Sequence, residues 1–267
     1  MPHSLQVGPY TVIALADGAG PFFAPRSEAF PDATTEQWAA ADQFDPGALG
    51  TDGRWLLQFR AFAIRSDQGV TLVDTGIGPA DSPAASWAPV PGVLPASLAA
   101  AGIEPSDVDT VVLTHLHTDH VGWAVVGGEQ ARPFFPNAQY LLQQAELDAL
   151  EEVNPQLRSK VIEPLCKTDQ LRLLDGDTLL RSGERVFATP GHTPGHQSVL
   201  VASGRELVAV TGDLLVHAMQ LLHPEVAYAH EMDHEQARTS RQRVLHSPAA
   251  DTLYLATPHL TEPFIVH

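Results

Sequence analysis

The sequence predicts an α/β layered sandwich, with two mixed β-sheets packed face to face and helices outside. Short runs rich in β-branched and aromatic residues, bounded by Gly, Pro or Asp, recur along the 267 residues. They come in consecutive groups, with helical patterns interspersed in each half of the chain. No long polar linker or low-complexity block divides the sequence, so one domain over residues 1–267 is the simpler organisation, and the length allows a well-buried core.

Tyr10–Asp17 (YTVIALAD) reads as the first strand, and Trp55–Ser66 and Gly69–Thr75, joined through DQG, read as a hairpin. Thr110–His115 follows, and later come AQYLLQ, RVFATP, QSVLVAS, ELVAVTGD and TLYLATPH. Helices are expected at Pro95–Gly102, Gln144–Val153 and Asp233–His246. In the last of these Asp233 can cap orphan amides, and Ala237, Val244 and Leu245 lie near one face. Residues 18–53 and 76–95 resist this scheme and read as long loops. The first carries four Pro with Phe22, Phe23, Phe30, Trp38 and Phe44. Loops of this length in a compact domain are usually lids or binding loops when they are not disordered, and the aromatics argue against simple disorder.

The formal charge of −17, from 15 Lys+Arg against 32 Asp+Glu, would repel a polyphosphate backbone. The arginines are scattered, and the one dense group, Arg238–Arg243, falls in an expected helix, so no nucleic-acid partner is expected. Solubility is the plain reading of the acidity. A single cysteine, Cys166, excludes an internal disulfide framework and a thiolate metal cluster, and with no His close in sequence it reads as a buried or half-exposed structural thiol. The N-terminal stretch lacks the pattern of a secretion signal, and no 18 apolar residues follow one another. The expectation is a soluble cytoplasmic protein with no membrane partner.

The stretch THLHTDH, Thr114–His120, places three of the 13 histidines within six residues after an apolar run: His115, His117 and His120, with Asp119 among them. Imidazole and carboxylate are ligands for zinc and its first-row neighbours. A loop leaving a strand end can aim such side chains at different points, and so serve two ions. Three more strand ends finish in ligand types: His192 and His196 in ATPGHTPGH, Asp213 in VAVTGD and His259 in YLATPH. Each could sit at a sheet edge and point into one cleft.

In this combination, from VDTG (Val73–Gly76) to His259, the chain resembles the metallo-β-lactamase superfamily in its binuclear hydrolase branch. The resemblance implies a four-layer αββα sandwich with two divalent metal ions at the edge between the sheets. It implies that His115, His117 and His192 hold the first ion, that Asp119, His120 and His259 hold the second, and that Asp213 bridges them. Zinc is the leading identity, with iron or manganese as alternatives that these ligands do not sharply exclude. His196 and Asp74 are implied to support the site rather than bind metal, although Asp74 also fits a simple turn. Gly122 and Gly195 are expected to allow tight turns beside the ligands.

Two zinc-like ions bridged by a carboxylate would also bridge a water, lowering its pKa from about 15.7 toward about 7. The reaction class is then hydrolysis by hydroxide, with Asp119 the catalytic candidate for carrying a proton to the leaving group. The absence of a thiolate ligand and the presence of His120 argue against the true β-lactamases, and the 45 residues between Asp213 and His259 leave no room for the insert of nucleic-acid-processing members. Eight residues after His259 do not supply the helical extension of glyoxalase-II-like thioesterases.

What remains resembles the N-acyl homoserine lactonases and, through Gly212–Ala237, the methyl parathion hydrolase group. Where one kind of lactonase has a catalytic Tyr three residues beyond the bridging Asp, this chain has Val216. His217 and Gln220 fall where they could face the cleft, or lie on a surface turn. Phe22, Phe23, Trp87, Trp123 and Pro133–Phe135 could wall an apolar pocket, with the core as their alternative. The expectation is a dinuclear hydrolase of a small, largely apolar lactone or carboxylic ester, with organophosphate triesters as a side activity. A thioesterase of a carrier-bound acyl intermediate and a metal-binding protein without catalysis are the alternatives. The Gly20–Phe44 segment could instead clasp a second copy, so a homodimer is a further expectation.

Overall fold

Alternation of side chains along the strands builds two facing sheets. The computed structural model describes residues 3–246 and 251–267. The strands are β1 (Ser4–Val7), β2 (Tyr10–Pro21), β3 (Leu56–Ser66), β4 (Gly69–Val73), β5 (Val108–Val112), β6 (Val125–Val126), β7 (Arg132–Pro133), β8 (Gln139–Gln143), β9 (Leu171–Leu174), β10 (Thr178–Arg181), β11 (Glu184–Ala188), β12 (Gln197–Ser203), β13 (Glu206–Val210), β14 (Thr252–Ala256) and β15 (Phe264–Val266). The first sheet has the order β1-β2-β3-β4-β5-β8-β9 and the second runs β10 to β15 in sequence order, while β6 and β7 form a separate ribbon. Both sheets are mixed, because β4, β5, β8 and β9 pair in parallel and so do β13 and β14, among otherwise antiparallel neighbours.

The helices are α1 (Arg26–Ala29), α2 (Thr35–Phe44), α3 (Leu94–Ala100), α4 (Gln144–Asp148), α5 (Leu150–Val153), α6 (Glu163–Lys167), α7 (Ala218–Leu222) and α8 (His234–Leu245). Period-two alternation decides which layer each strand residue joins. Val12, Phe62, Val73 and Val112 meet Val186, Val199, Val208 and Val210 between the sheets. Their chain neighbours Ile13, Ala61, Leu72 and Val111 turn the other way, onto Leu98 of α3, Leu150 of α5 and Leu165 of α6. Beyond the second sheet, Leu207, Ala209, Leu253 and Leu255 pack against Val244 and Leu245 of α8. The layers are thus helix, sheet, sheet, helix, the αββα sandwich.

The hairpin of β3 and β4 forms as the sequence predicts, and Asp233 caps α8 by accepting from the Gln236 amide at 2.9 Å. Several expectations need correction. Residues 18–53 are not a loop: β2 continues to Pro21 beside β3, and α1 and α2 follow. The local signal was present, since Thr34 accepts from the Gln37 amide while the Gln37 side chain accepts from the Thr34 amide, a capping box that starts α2. The helix expected over Gln144–Val153 is interrupted at Ala149, giving α4 and α5. Cys166 is exposed, where a buried or half-exposed thiol was expected. Among the described residues, no helix is long and apolar enough to cross a membrane.

Residues 76–95 are largely irregular, as expected, but they are tied down by one buried carboxylate. Asp17 accepts from the amides of Ile77 at 2.6 Å, Gly78 at 3.3 Å and Leu94 at 2.6 Å, and from Trp123 Nε1 at 3.1 Å. Asp17→Ala would strand these donors, and a lowering of unfolding free energy by about 3 kcal/mol is expected in urea titration; Trp123→Phe, which removes only one of them, should cost about 1 kcal/mol.

Candidate metal centre

Strand direction collects the site. The parallel pairs β4/β5 and β13/β14 put their C-terminal ends on common edges, and β11, antiparallel to β12, which is antiparallel to β13, runs with β13. Asp74 follows β4, Thr114–His120 follows β5, and His192, Asp213 and His259 follow β11, β13 and β14. All seven residues that the sequence nominates as ligands converge there. They form two groups, His115, His117, His192 and Asp213 on one side and Asp119, His120 and His259 on the other, with donor atoms inside each group within 4.8 Å of one another.

Asp213 stands between the groups. Its Oδ2 lies 3.2 Å from His192 Nε2 and 3.8 Å from His115 Nε2, while its Oδ1 lies 3.0 Å from His259 Nε2 and 3.2 Å from His120 Nε2. Asp119 Oδ2 completes the second side, 3.5 Å from His120 Nε2 and 3.7 Å from His259 Nε2.

Outer partners decide which nitrogen each imidazole presents. His120 Nδ1 donates to Asp74 Oδ2 at 2.8 Å, and His259 Nδ1 donates to the Gln58 carbonyl at 2.7 Å. Thr114 Oγ1 gives its proton to Asp74 at 2.9 Å and so accepts from His115 Nδ1 at 3.0 Å. In all three rings Nδ1 is engaged outward and Nε2 is left facing inward, the nitrogen that a metal ligand would present once free of its proton. Asp74, in a left-handed conformation at φ 61°, therefore orients two imidazoles, one of them through Thr114. His196 accepts the Asp213 amide on Nε2 at 3.0 Å and faces the Thr189 carbonyl with Nδ1 at 3.1 Å. Burial, aided by His192, pushes it down to about 3, so it stays neutral and holds the backbone of Asp213.

Electrostatics fit a divalent cation. Burial, with help from neighbouring imidazoles, holds His115 and His117 well below the ordinary imidazole range. Burial also disfavours charge on His120, yet Asp213, Asp119 and Asp74 outweigh it and hold that ring well above its usual value. His115 Nε2, His120 Nε2, His192 Nδ1 and Asp213 Oδ1 are buried without a hydrogen-bond partner among the described residues. Inward-facing ring nitrogens around a buried carboxylate, several of them orphaned, are what a pair of bound cations would satisfy.

A residue that the sequence reading missed braces the ligand loops. Glu146 of α4 accepts from the Leu116 amide at 2.8 Å and the Gly195 amide at 2.9 Å, joining the loop of His115 and His117 to that of His192. Burial raises its pKa. The two nearby glycines lie in turns as expected, closed by the Ala124 amide on the Val121 carbonyl at 3.0 Å and the His196 amide on the Thr193 carbonyl at 3.3 Å, and both also allow close approach. A Cβ on Gly195 would lie 2.2 Å from the Glu146 amide, and one on Gly122 would lie 2.2 Å from the Ile77 carbonyl carbon.

Beside the centre is a pocket of about 280 Å³ whose floor includes His117, Asp119, His192, Asp213 and His259. Phe22, Phe23, Trp87 and Val216 line it, together with Trp55 and Tyr228, which the sequence reading did not select. The Tyr228 ring lies nearly parallel to His192, at 7° and 6.0 Å between centroids. Three expected contacts are not there. Trp123 turns into the core beneath the first sheet, held by Asp17 and packed at a tilt against Phe134. Gln220 is buried and accepts from the Val216 amide at 2.9 Å. His217 packs among Phe30, Trp38 and Trp55, and its Nδ1 accepts from the Met219 amide at 3.0 Å to cap α7. Pro133 pairs within the β6/β7 ribbon and Phe135 is core, so that segment does not wall the pocket either.

Burial pushes His217 down to about 4. Its neutral form is the one that caps, so the unfolded chain binds the extra proton once pH drops below the ordinary value near 6.5. Stability should therefore be complete above that pH and fall on acidification toward pH 4, by on the order of 3 kcal/mol from this residue. His217→Asn keeps a cap-forming side chain. It should flatten this part of the stability profile, measured by denaturant titration from pH 7 to pH 4.

A family model described as the metallo-beta-lactamase superfamily matches residues 57–259. The N-acyl homoserine lactonase of Bacillus cereus is 31% identical over 144 residues, which cover 54% of this chain and 52% of that protein. The chain thus spans about half the length of the curated relatives it matches. Among solved structures, a hydrolase of the beta lactamase superfamily, AbOPH, superposes with a TM-score of 0.77 at 25% identity, over 98% of this chain and 91% of the other. AidC, described as a dizinc quorum-quenching lactonase and solved with N-hexanoyl-L-homoserine as product, shares the fold at a TM-score of 0.77, 22% identity and the same coverage of 98% and 91%.

Proposed function

The chain belongs to the metallo-beta-lactamase superfamily, and we propose that it is a dinuclear metal-dependent hydrolase that opens a lactone or a related carboxylic ester. The observation that carries this reading is the position of Asp213, with one oxygen turned toward His115 and His192 and the other toward His120 and His259. His115, His117 and His192 would hold one divalent ion and Asp119, His120 and His259 the other, with Asp213 shared. Zinc suits this donor set. When bound, such a pair lowers the pKa of water and polarises an ester carbonyl.

The chain's own residues do the rest. The walls of Phe22, Trp55, Leu57, Trp87 and Val216 take an apolar acyl group and exclude bulk water from it. Hydrolysis adds a water oxygen to the carbonyl carbon, breaks the acyl C–O bond and returns a proton to the departing alkoxide. Asp119 lines the pocket and is the carboxylate placed to carry that proton. Tyr228 lines the pocket together with Val216, from the same stretch of chain between β13 and α8. Burial, with the charges of Asp213 and Asp119, pushes its phenol well above the usual range, so it remains a donor that can hydrogen-bond a substrate oxygen.

The test is turnover by metal-reconstituted protein on a panel of lactones, aryl esters, thioesters and phosphotriesters. Lactones or oxygen esters should be cleaved fastest; a clear preference for thioesters or phosphotriesters, or no turnover with metal bound, would overturn the reading. Asp213→Asn and His117→Ala should each reduce bound metal and lower kcat/KM by roughly a hundredfold or more, since losing even an outer partner of a ligand costs about 10- to 100-fold. Tyr228→Phe should keep its metal and lose about tenfold or more in kcat/KM, measured on the best substrate.

A further inference from the structure

One wall of the pocket comes from a single stretch between β13 and α8, which supplies Val216, Tyr228 and His230. Apart from a short 3-10 turn at Gly212–Leu214 and α7 this stretch is irregular, so its shape depends on what anchors it. The anchor is a buried ion pair. Glu231 Oε1 accepts from Arg241 Nη1 of α8 and, at 2.7 Å, from Gln220 Nε2 of α7, while Oε2 accepts from the Tyr228 amide at 3.4 Å. Gln220 in turn accepts from the Val216 amide, and Arg241 Nη2 reaches the Pro224 carbonyl at 3.3 Å. From one carboxylate, hydrogen bonds therefore lead to both Val216 and Tyr228, the two ends of the wall. Neither Glu231 nor Arg241 lines the pocket, and their side chains are 0% and 1% exposed.

A buried ion pair is a poor device for stability alone, because apolar side chains of similar volume often give as much or more. It does impose direction. The pair fixes the backbone on either side of α7, where apolar contacts would tolerate sliding.

Resting on the hydrolase reading above, we propose that Glu231 and Arg241 are positioning residues that hold the Val216–Tyr228 wall at a set distance from the metal centre and so determine which neutral acyl groups the site accepts. They act through Gln220 and the backbone, without touching substrate.

The experiment compares the wild type with the double variant Glu231→Met/Arg241→Met on lactones that differ only in acyl length. Metal content and the thermal midpoint are measured alongside. The expected result is a folded, metal-loaded double variant whose selectivity, the ratio of kcat/KM between the preferred and the next acyl length, falls at least tenfold, with the change in KM rather than kcat. Selectivity within twofold of wild type in a folded, loaded variant would overturn the proposal. A kcat loss equal for every substrate would also overturn it, because a merely structural role predicts that pattern. If the double variant does not fold, Gln220→Met, which cuts only the branch to Val216, is read by the same criteria. Calorimetric binding of uncleaved acyl lactams of the same lengths reads the wall independently of turnover. A wild type that sorts lactams by length and cleaves no ester would sink the hydrolase reading while leaving the positioning role to be decided by the variants.

Discussion

One carboxylate with four imidazoles around it sets the terms for the rest of this structure. Asp213 sits buried with two histidines near each of its oxygens. A charge in that position is expensive unless matched; without metal it is met by His120 and His259, whose rings the neighbouring carboxylates hold above their usual range. The surrounding scaffold is accordingly built to control protons. Asp74, Thr114 and the Gln58 carbonyl each occupy an outward imidazole nitrogen, and His196 is kept neutral while it holds the Asp213 amide. Each partner comes from a different element, so the ligand geometry is the sum of strand ends that the two sheets bring together.

This dependence explains why the loops around the centre are braced by buried acids. Glu146 joins two ligand loops, and Asp17 joins the irregular stretch after β4 to the start of α3 and to Trp123. Both carboxylates are buried and both have raised pKa values, with burial as the leading cause. Each accepts backbone amides that would otherwise be orphaned, and that compensation is why a buried acid is tolerable there.

The metal edge was legible in the sequence because its signals are local. Each ligand sits within a few residues of a strand end, and a strand end is marked by an apolar run and a small or turn-forming residue. The sheet layers were legible for the same reason, through alternation within single strands. The pocket wall was not. Trp123 follows the ligand loop directly, yet its indole is claimed by Asp17, more than a hundred residues away in the chain, whereas Trp55 and Tyr228 reach the pocket from segments with no local mark of function. Nothing in QAELD marks Glu146 as the residue that two loop amides will meet. The capping box that starts α2 is a local signal, set among the prolines and aromatics of its segment.

These two grades of legibility follow a division within the molecule. Chemistry is assigned to strand ends, where parallel pairing fixes direction and small shifts are resisted by ladders on both sides. Shape is assigned to connections, where sequence can change without disturbing the sheets. The stretch from Val216 to Glu231 belongs to the second kind, but it is also bonded to the first: the Met232 amide donates to the His192 carbonyl at 3.1 Å and the Asp233 amide to the Gly191 carbonyl at 2.9 Å. A wall attached to a ligand loop at one end and to a buried ion pair in its middle has little freedom to move independently of the metal centre. On the hydrolase reading proposed above, the shape of the pocket wall is then set by anchors that lie outside the pocket itself.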